Sequence, residues 1–127
     1  MDWVESTVDA FGESMGIRGL RLDEDGLVAM TVEGGAELAI QDLRPLGAPE
    51  LLVALTTACG AEPEAGLRAA LRRSDFRRSP HWTVQIGLDE RELMINIRLP
   101  IGAVMLSSLE EAVDLALAVH READRGA

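Results

Sequence analysis

Trp82-Thr83-Val84-Gln85-Ile86-Gly87-Leu88, then Asp89-Glu90-Arg91-Glu92, then Leu93-Met94-Ile95-Asn96-Ile97-Arg98-Leu99 is the stretch that decides the fold class. Every second residue is apolar on both sides of the charged centre: Trp82, Val84, Ile86 and Leu88, then Leu93, Ile95, Ile97 and Leu99. Successive side chains of a strand point to opposite faces, so each half reads as a strand with one apolar face. A loop over 89–92 pairs Leu88 with Leu93, Ile86 with Ile95, Val84 with Ile97 and Trp82 with Leu99. The other face carries Thr83, Gln85, Asn96 and Arg98 and is half wet. Pro100, which has no N–H to donate, closes the ladder.

Upstream, residues 75–80 form a loop ending in Pro80, and residues 62–74 read as a helix. Pro63 suits its first turn. Glu62 and Glu64 suit its positive end, and Arg68, Arg72 and Arg73 its negative end. Its apolar face is narrow: Ala65 or Gly66, Leu67, Ala70 and Leu71. Residues 50–58 alternate again through Leu51, Val53 and Leu55. Leu52 and Ala54 make the opposite face apolar too, which predicts a strand covered on both sides. Leu43 to Pro49 holds two prolines and a glycine and reads as an irregular connection. Residues 27–32 and 36–41 form a hairpin around Glu33-Gly34-Gly35, with glycine available for the left-handed position. This turn pairs Val32 with Ala36, Met30 with Leu38 and Val28 with Ile40, all on one face. Ala29, Thr31, Glu37, Ala39 and Gln41 take the other.

The chain opens on a helix over 2–15. Val4, Val8, Phe11 and Met15 share one face, and Trp3 widens the stripe. Asp2 followed by Glu5 resembles a capping box, and Gly16 is a natural stop. Residues 16–26 are loop, with Asp23-Glu24-Asp25 inside it. A last helix covers 108–124, started by Ser107 with Glu110 or Ser108 with Glu111. Its inner stripe is Leu109, Val113, Ala116, Leu117 and His120; Asp114 and Arg121 lie outward. The order is αβββαββα. Strands in hairpin-linked groups predict an α+β fold, a mostly antiparallel twisted sheet with helices packed on it. With 127 residues, 47% of them hydrophobic, a single domain spanning 1–127 is expected.

Twenty-two acidic and twelve basic residues give a net charge of −10. The first fifty residues hold eleven acids against three arginines. Such a surface repels phosphate, so neither nucleic acid nor an anionic membrane is expected as a partner. The chain has no lysine, which excludes Walker-A phosphate binding and Schiff-base catalysis. One cysteine, Cys59, excludes an internal disulfide framework and a multi-cysteine zinc site. Acids at Asp2 and Glu5 replace the positive charge of a signal peptide, and no apolar run has membrane-spanning length. A cytoplasmic protein is expected.

Few residues carry a chemical signal. Gly12-Glu13-Ser14-Met15-Gly16 matches G-x-S-x-G, but that motif needs a strand before its serine, and here a helix precedes it. His81 and His120 lack partners at zinc-ligand spacing, so no metal site is assigned. A hydrogen-bonded buried histidine is expected at His120. Cys59 reads as a small buried hydrophobe, with a Cys–His pair to His81 left open. Asp23-Glu24-Asp25 lacks the remaining ligands of a calcium loop. Arg68, Arg72, Arg73, Arg77 and Arg78 are the one basic patch. They serve either helix-end compensation with ion pairing, or docking of an acidic partner segment. The apolar faces together exceed one small core, which suggests surface left for a partner.

The opening Asp2-Trp3-Val4-Glu5 with Phe11, the closing Leu109-Glu110-Glu111-Ala112 and the element order resemble class I type III secretion chaperones, the CesT-like and SycN-like proteins of bacterial injection systems. The resemblance implies no catalytic residue, cofactor or metal. It implies a homodimer, with a heterodimer with a second chaperone as the alternative. The partner would be the unfolded N-terminal segment of a secreted effector or gatekeeper, kept export-competent. Effector contacts would fall on Val4, Val8, Phe11, Val28, Met30, Leu38 and Ile40. The dimer interface would use Leu67, Ala70, Leu71, Trp82, Val84 and Ile86. Gly66 and the arginines of the second helix depart from the pattern. A small-molecule-binding or regulatory α+β domain is the alternative function. An enzyme built on Ser14 or Cys59 is a third.

Overall fold

A computed structural model describes residues 2–74 and 82–126. Helix α1 spans Trp3–Ser14 and is followed by β1 (Leu27–Thr31), β2 (Glu37–Asp42) and β3 (Glu50–Ala58). Helix α2 (Pro63–Arg73) precedes β4 (Val84–Asp89), β5 (Glu92–Pro100) and α3 (Leu106–Gly126). The expected αβββαββα order is therefore present. All strand pairs are antiparallel, in the order β1-β2-β3-β5-β4.

The alternation of the sequence sets the register. Val28, Ile40, Val53, Ile97 and Val84 form one row across all five strands; Met30, Leu38, Leu55, Ile95 and Ile86 form the next. The interior members of both rows are fully buried, and the members on the edge strands β1 and β4 are half-buried. Helix α3 lies across this face, against β3 and β5, with α1 and α2 packed on it. Leu109, Ala112, Val113, Ala116 and Val119 sink into the core, while Asp114 and Arg121 face out as expected.

The opposite face of the sheet stays open. Leu52, Ala54 and Thr56 are half-exposed, so β3 is covered on one side and not on both. The row Ala29, Ala39, Ala54, Asn96 and Gln85 runs along this open side. An apolar residue on a strand says what a face tolerates; a helix must still pack there to bury it.

Local signals behave as their chemistry dictates. The Asp2 carboxylate caps α1 by accepting from the Glu5 N–H at 2.9 Å. Gly34 and Gly35 take φ of 71° and 79° in the first hairpin turn, where a side chain would be strained. Three details differ. The second hairpin turns in two residues, with Asp89 paired to Glu92 and Glu90 at φ 54°. Trp82 lies ahead of β4 and has no strand pairing with Leu99. Helix α3 begins at Leu106, which places Ser107 and Ser108 inside the first turn rather than at its cap.

Candidate functional site

Five of the seven residues expected to contact a client are core residues. Val4, Val8, Leu38 and Ile40 are fully buried and Phe11 nearly so. The reason is geometric: the apolar stripe of α1 faces the other core elements, and β2 is an interior strand whose apolar side lies beneath helices. Val28 and Met30 do reach the surface, on the edge strand β1. Among the described residues β1 pairs only with β2, so its outer side has no strand beside it.

The dimer set divides in the same way. Ala70 is fully buried, because α2 packs on α3 through the small residues Gly66, Ala69 and Ala70. Leu67, Trp82, Val84 and Ile86 are half-buried against the core. Leu71 stands out from the helix, 50% exposed.

Among the described residues, six more large apolar side chains are exposed: Met15 after α1, Leu27 at the start of β1, and four at one end of the sheet. Trp3 is 52% exposed, Leu46 73%, Met105 54% and Leu106 36%. Leu46 belongs to the connection between β2 and β3; Met105 and Leu106 open α3. The Ile101 N–H donates to the Pro49 carbonyl at 2.9 Å and ties the two connections together. Trp3 joins them through Arg44. One guanidinium nitrogen lies 2.7 Å from the Asp2 carboxylate and 2.7 Å from that of Asp42. The guanidinium also stands over the Trp3 ring, 5.2 Å from its centroid. Trp3 therefore does not widen the buried stripe of α1; it is held on the outside.

This ionic knot pins the start of α1 to the end of β2. The Glu5 backbone N–H, then Arg44, hold the Asp2 carboxyl below its usual range. The Arg44 guanidinium does the same for Asp42, the more buried of the two acids. The two carboxylates in turn raise the pKa of Arg44. Sequence periodicity could not find this cluster, because Asp2 and Arg44 are 42 residues apart.

The chemical candidates settle into structural roles. The Ser14 hydroxyl donates to the Phe11 carbonyl at 2.7 Å in the last turn of α1, a helical setting unlike a nucleophile elbow. The Asp23 carboxylate accepts from the N–H groups of Asp25 and Leu27 and shapes the loop before β1. His120 is buried, but among the described residues its Nδ1 has no hydrogen-bond partner, contrary to expectation. It lines a cleft of about 20 Å³ with Thr57, Cys59, Leu67, Leu93 and Asp124, room for about one water. Among the described residues no three of His, Cys, Asp or Glu group as metal ligands. No described helix is long and apolar enough to cross a membrane. His81, Arg77 and Arg78 lie outside the described residues.

No family model and no curated protein matches the sequence. Solved structures do match over most of the chain. The ExsC–ExsE complex contains a chain superposing with a TM-score of 0.74 at 17% identity, covering 96% of this chain and 91% of its own. The HopA1–SchA chaperone–effector complex gives 0.69 at 17% identity, with 94% and 91% covered. The Yersinia pestis type III secretion chaperone SycH, in complex with a fragment of YscM2, gives 0.63 at 20% identity, with 91% and 98% covered. These identities carry the architecture alone. The antiparallel five-stranded sheet under three helices, built in αβββαββα order, is the fold of the class I type III secretion chaperones.

Proposed function

We propose that this chain is a cytoplasmic secretion chaperone that binds an unfolded polypeptide segment and keeps it competent for export. The segment is the N-terminal part of a type III secreted effector or gatekeeper. The observation that carries this reading is the apolar end formed by Trp3, Leu46, Met105 and Leu106 on a chain of net charge −10. Large apolar side chains cost solubility when exposed, and strong like charge offsets that cost between copies. The free side of β1 supports the reading too. An extended segment gains backbone hydrogen bonds by adding to an edge strand, and Val28 and Met30 flank it. The ordering cost of such a segment demands wide apolar contact. The reading needs no covalent chemistry and no cofactor. A pair of chains is part of it, with α2 and β4 as the pairing surface.

The test uses the two tryptophans of the chain. A Trp82→Phe variant leaves Trp3 as sole reporter. Titration with the unfolded N-terminal segment of a secreted protein from the same cell is expected to shift its emission to the blue as the ring loses water. Binding that leaves Trp3 emission unchanged, or no binding of any such segment, refutes the proposal.

A further inference from the structure

His120 is 7% exposed, and among the described residues its Nδ1 has no hydrogen-bond partner. Buried polar atoms are nearly always paired, and an exception needs a bound molecule, a reacting group or strain to explain it. The other ring nitrogen stands against the first hairpin turn: a Cβ on Gly34 would lie 3.3 Å from Nε2. The same ring lines the cleft formed where β3 ends and α2 packs on α3. Gly34 does not line that cleft, so Nδ1 is the nitrogen left to face it. On the turn side the ring neighbours Glu33, which is already paired with Arg121. In the cleft lining it neighbours the exposed Asp124.

The second reactive group in the cleft is Cys59, half-buried just past the end of β3. Its backbone is fixed, because the Cys59 N–H donates to the Arg91 carbonyl at 2.6 Å. Leu67 and Leu93 wall the cleft with hydrocarbon, and Gly66 adds no side chain to fill it. A thiol and an unpaired imidazole nitrogen thus share a space of about 20 Å³.

We propose that this cleft is an oxidation site that takes a small hydroperoxide, with Cys59 as the nucleophile and His120 as its base. The inference goes beyond the chaperone reading and does not rest on it. Size selects the co-reactant. The cleft seats about one water, so one peroxide oxygen fits inside with the other at the mouth, whereas a disulfide of glutathione size does not fit. In the step, Nδ1 takes the thiol proton and the thiolate sulfur attacks one peroxide oxygen. An S–O bond forms as the O–O bond breaks. The leaving oxygen takes the proton from Nδ1 and departs as water. The sulfur is oxidised by two electrons to a sulfenic acid, and the peroxide is reduced by two. The new S–OH can donate to Nδ1, which supplies the partner that nitrogen lacks. The chain has no second cysteine, so the product closes no internal disulfide and waits for an outside thiol.

The test treats the full chain with hydrogen peroxide and traps sulfenic acid with dimedone. Peptide mass spectrometry separates Cys59 from the five methionines. At about pH 7 the folded chain is expected to react at Cys59 at least about tenfold faster than the same chain unfolded in urea, where only a few per cent of an ordinary thiol is ionised. Between about pH 8 and pH 7 the unfolded chain should slow about tenfold and the folded chain less than about threefold. His120→Asn keeps a planar polar side chain but offers no base. It should react at the unfolded rate and regain the steep pH dependence. Should that variant fail to fold, the two wild-type pH profiles still decide. A folded rate no faster than the unfolded one, as expected of a cleft that only holds water, overturns the proposal. So does wild-type rate and pH dependence in folded His120→Asn, or faster modification of Cys59 by glutathione disulfide than by peroxide.

Discussion

Arg44→Ala removes the guanidinium shared by Asp2 and Asp42 and the support of Trp3. Asp42 then keeps the backbone N–H of residue 44 at 3.0 Å, but its side chain is only 11% exposed. Breaking a buried ion pair costs about 3–5 kcal/mol, and an exposed one about 0–1. The Arg44 side chain is 31% exposed and that of Asp2 38%, so the knot lies between these limits. We expect a loss of about 2 kcal/mol at pH 7, or about 6–10 °C in Tm for a domain of this size. Urea unfolding followed by far-ultraviolet circular dichroism measures it. The pH dependence gives a second reading. Both carboxyls have folded pKa values held below their ordinary ones, so their contribution is full above the unfolded pKa, near 4. It is lost as pH falls through the lower folded values. The wild type should therefore lose more stability than the variant between about pH 4 and pH 2, and the two should converge. A loss below about 0.5 kcal/mol at pH 7, or a gap that persists at about pH 2, would refute the reasoning.

Three further outcomes are expected. Gly12→Ala gains about 1 kcal/mol of helix propensity, but its Cβ would sit 2.5 Å from Leu20 Cβ and 2.9 Å from the Ile17 carbonyl oxygen. The clash should win, lowering stability by about 1–2 kcal/mol in urea; a stabilised variant contradicts the packing. Leu55→Ala should cost about 3 kcal/mol while Leu52→Ala, on the open face of the same strand, should cost under about 1. Equal losses would mean that both faces of β3 are covered. Trp3→Ala should change stability by less than about 1 kcal/mol yet weaken binding of an unfolded client about tenfold by calorimetry. Unchanged affinity would move the client away from this end.

The strands were legible because period-two alternation is a local property. Leu88 with Leu93, Ile86 with Ile95 and Val84 with Ile97 pair between β4 and β5 as their spacing alone predicts. The cap at Asp2 and the turn at Gly34-Gly35 are equally local. The candidate site was less legible. An apolar stripe says that a face will be buried or sticky, and does not say which. Val4, Val8 and Phe11 found cover and became core, while Val28 and Met30, also expected to meet a client, stayed at the sheet edge.

What the sequence by itself determined is the element order, the register of both hairpins and the acidity of the surface, all set by neighbours within a few residues. What only the tertiary structure decided is which apolar side chains stay outside. Ala70 went under α3 while Leu71 did not, because small residues let the two helices approach. Trp3 was held out by an arginine from a distant turn. Exposure depends on what arrives from elsewhere in the chain, and long-range contacts of that kind leave no period in the sequence.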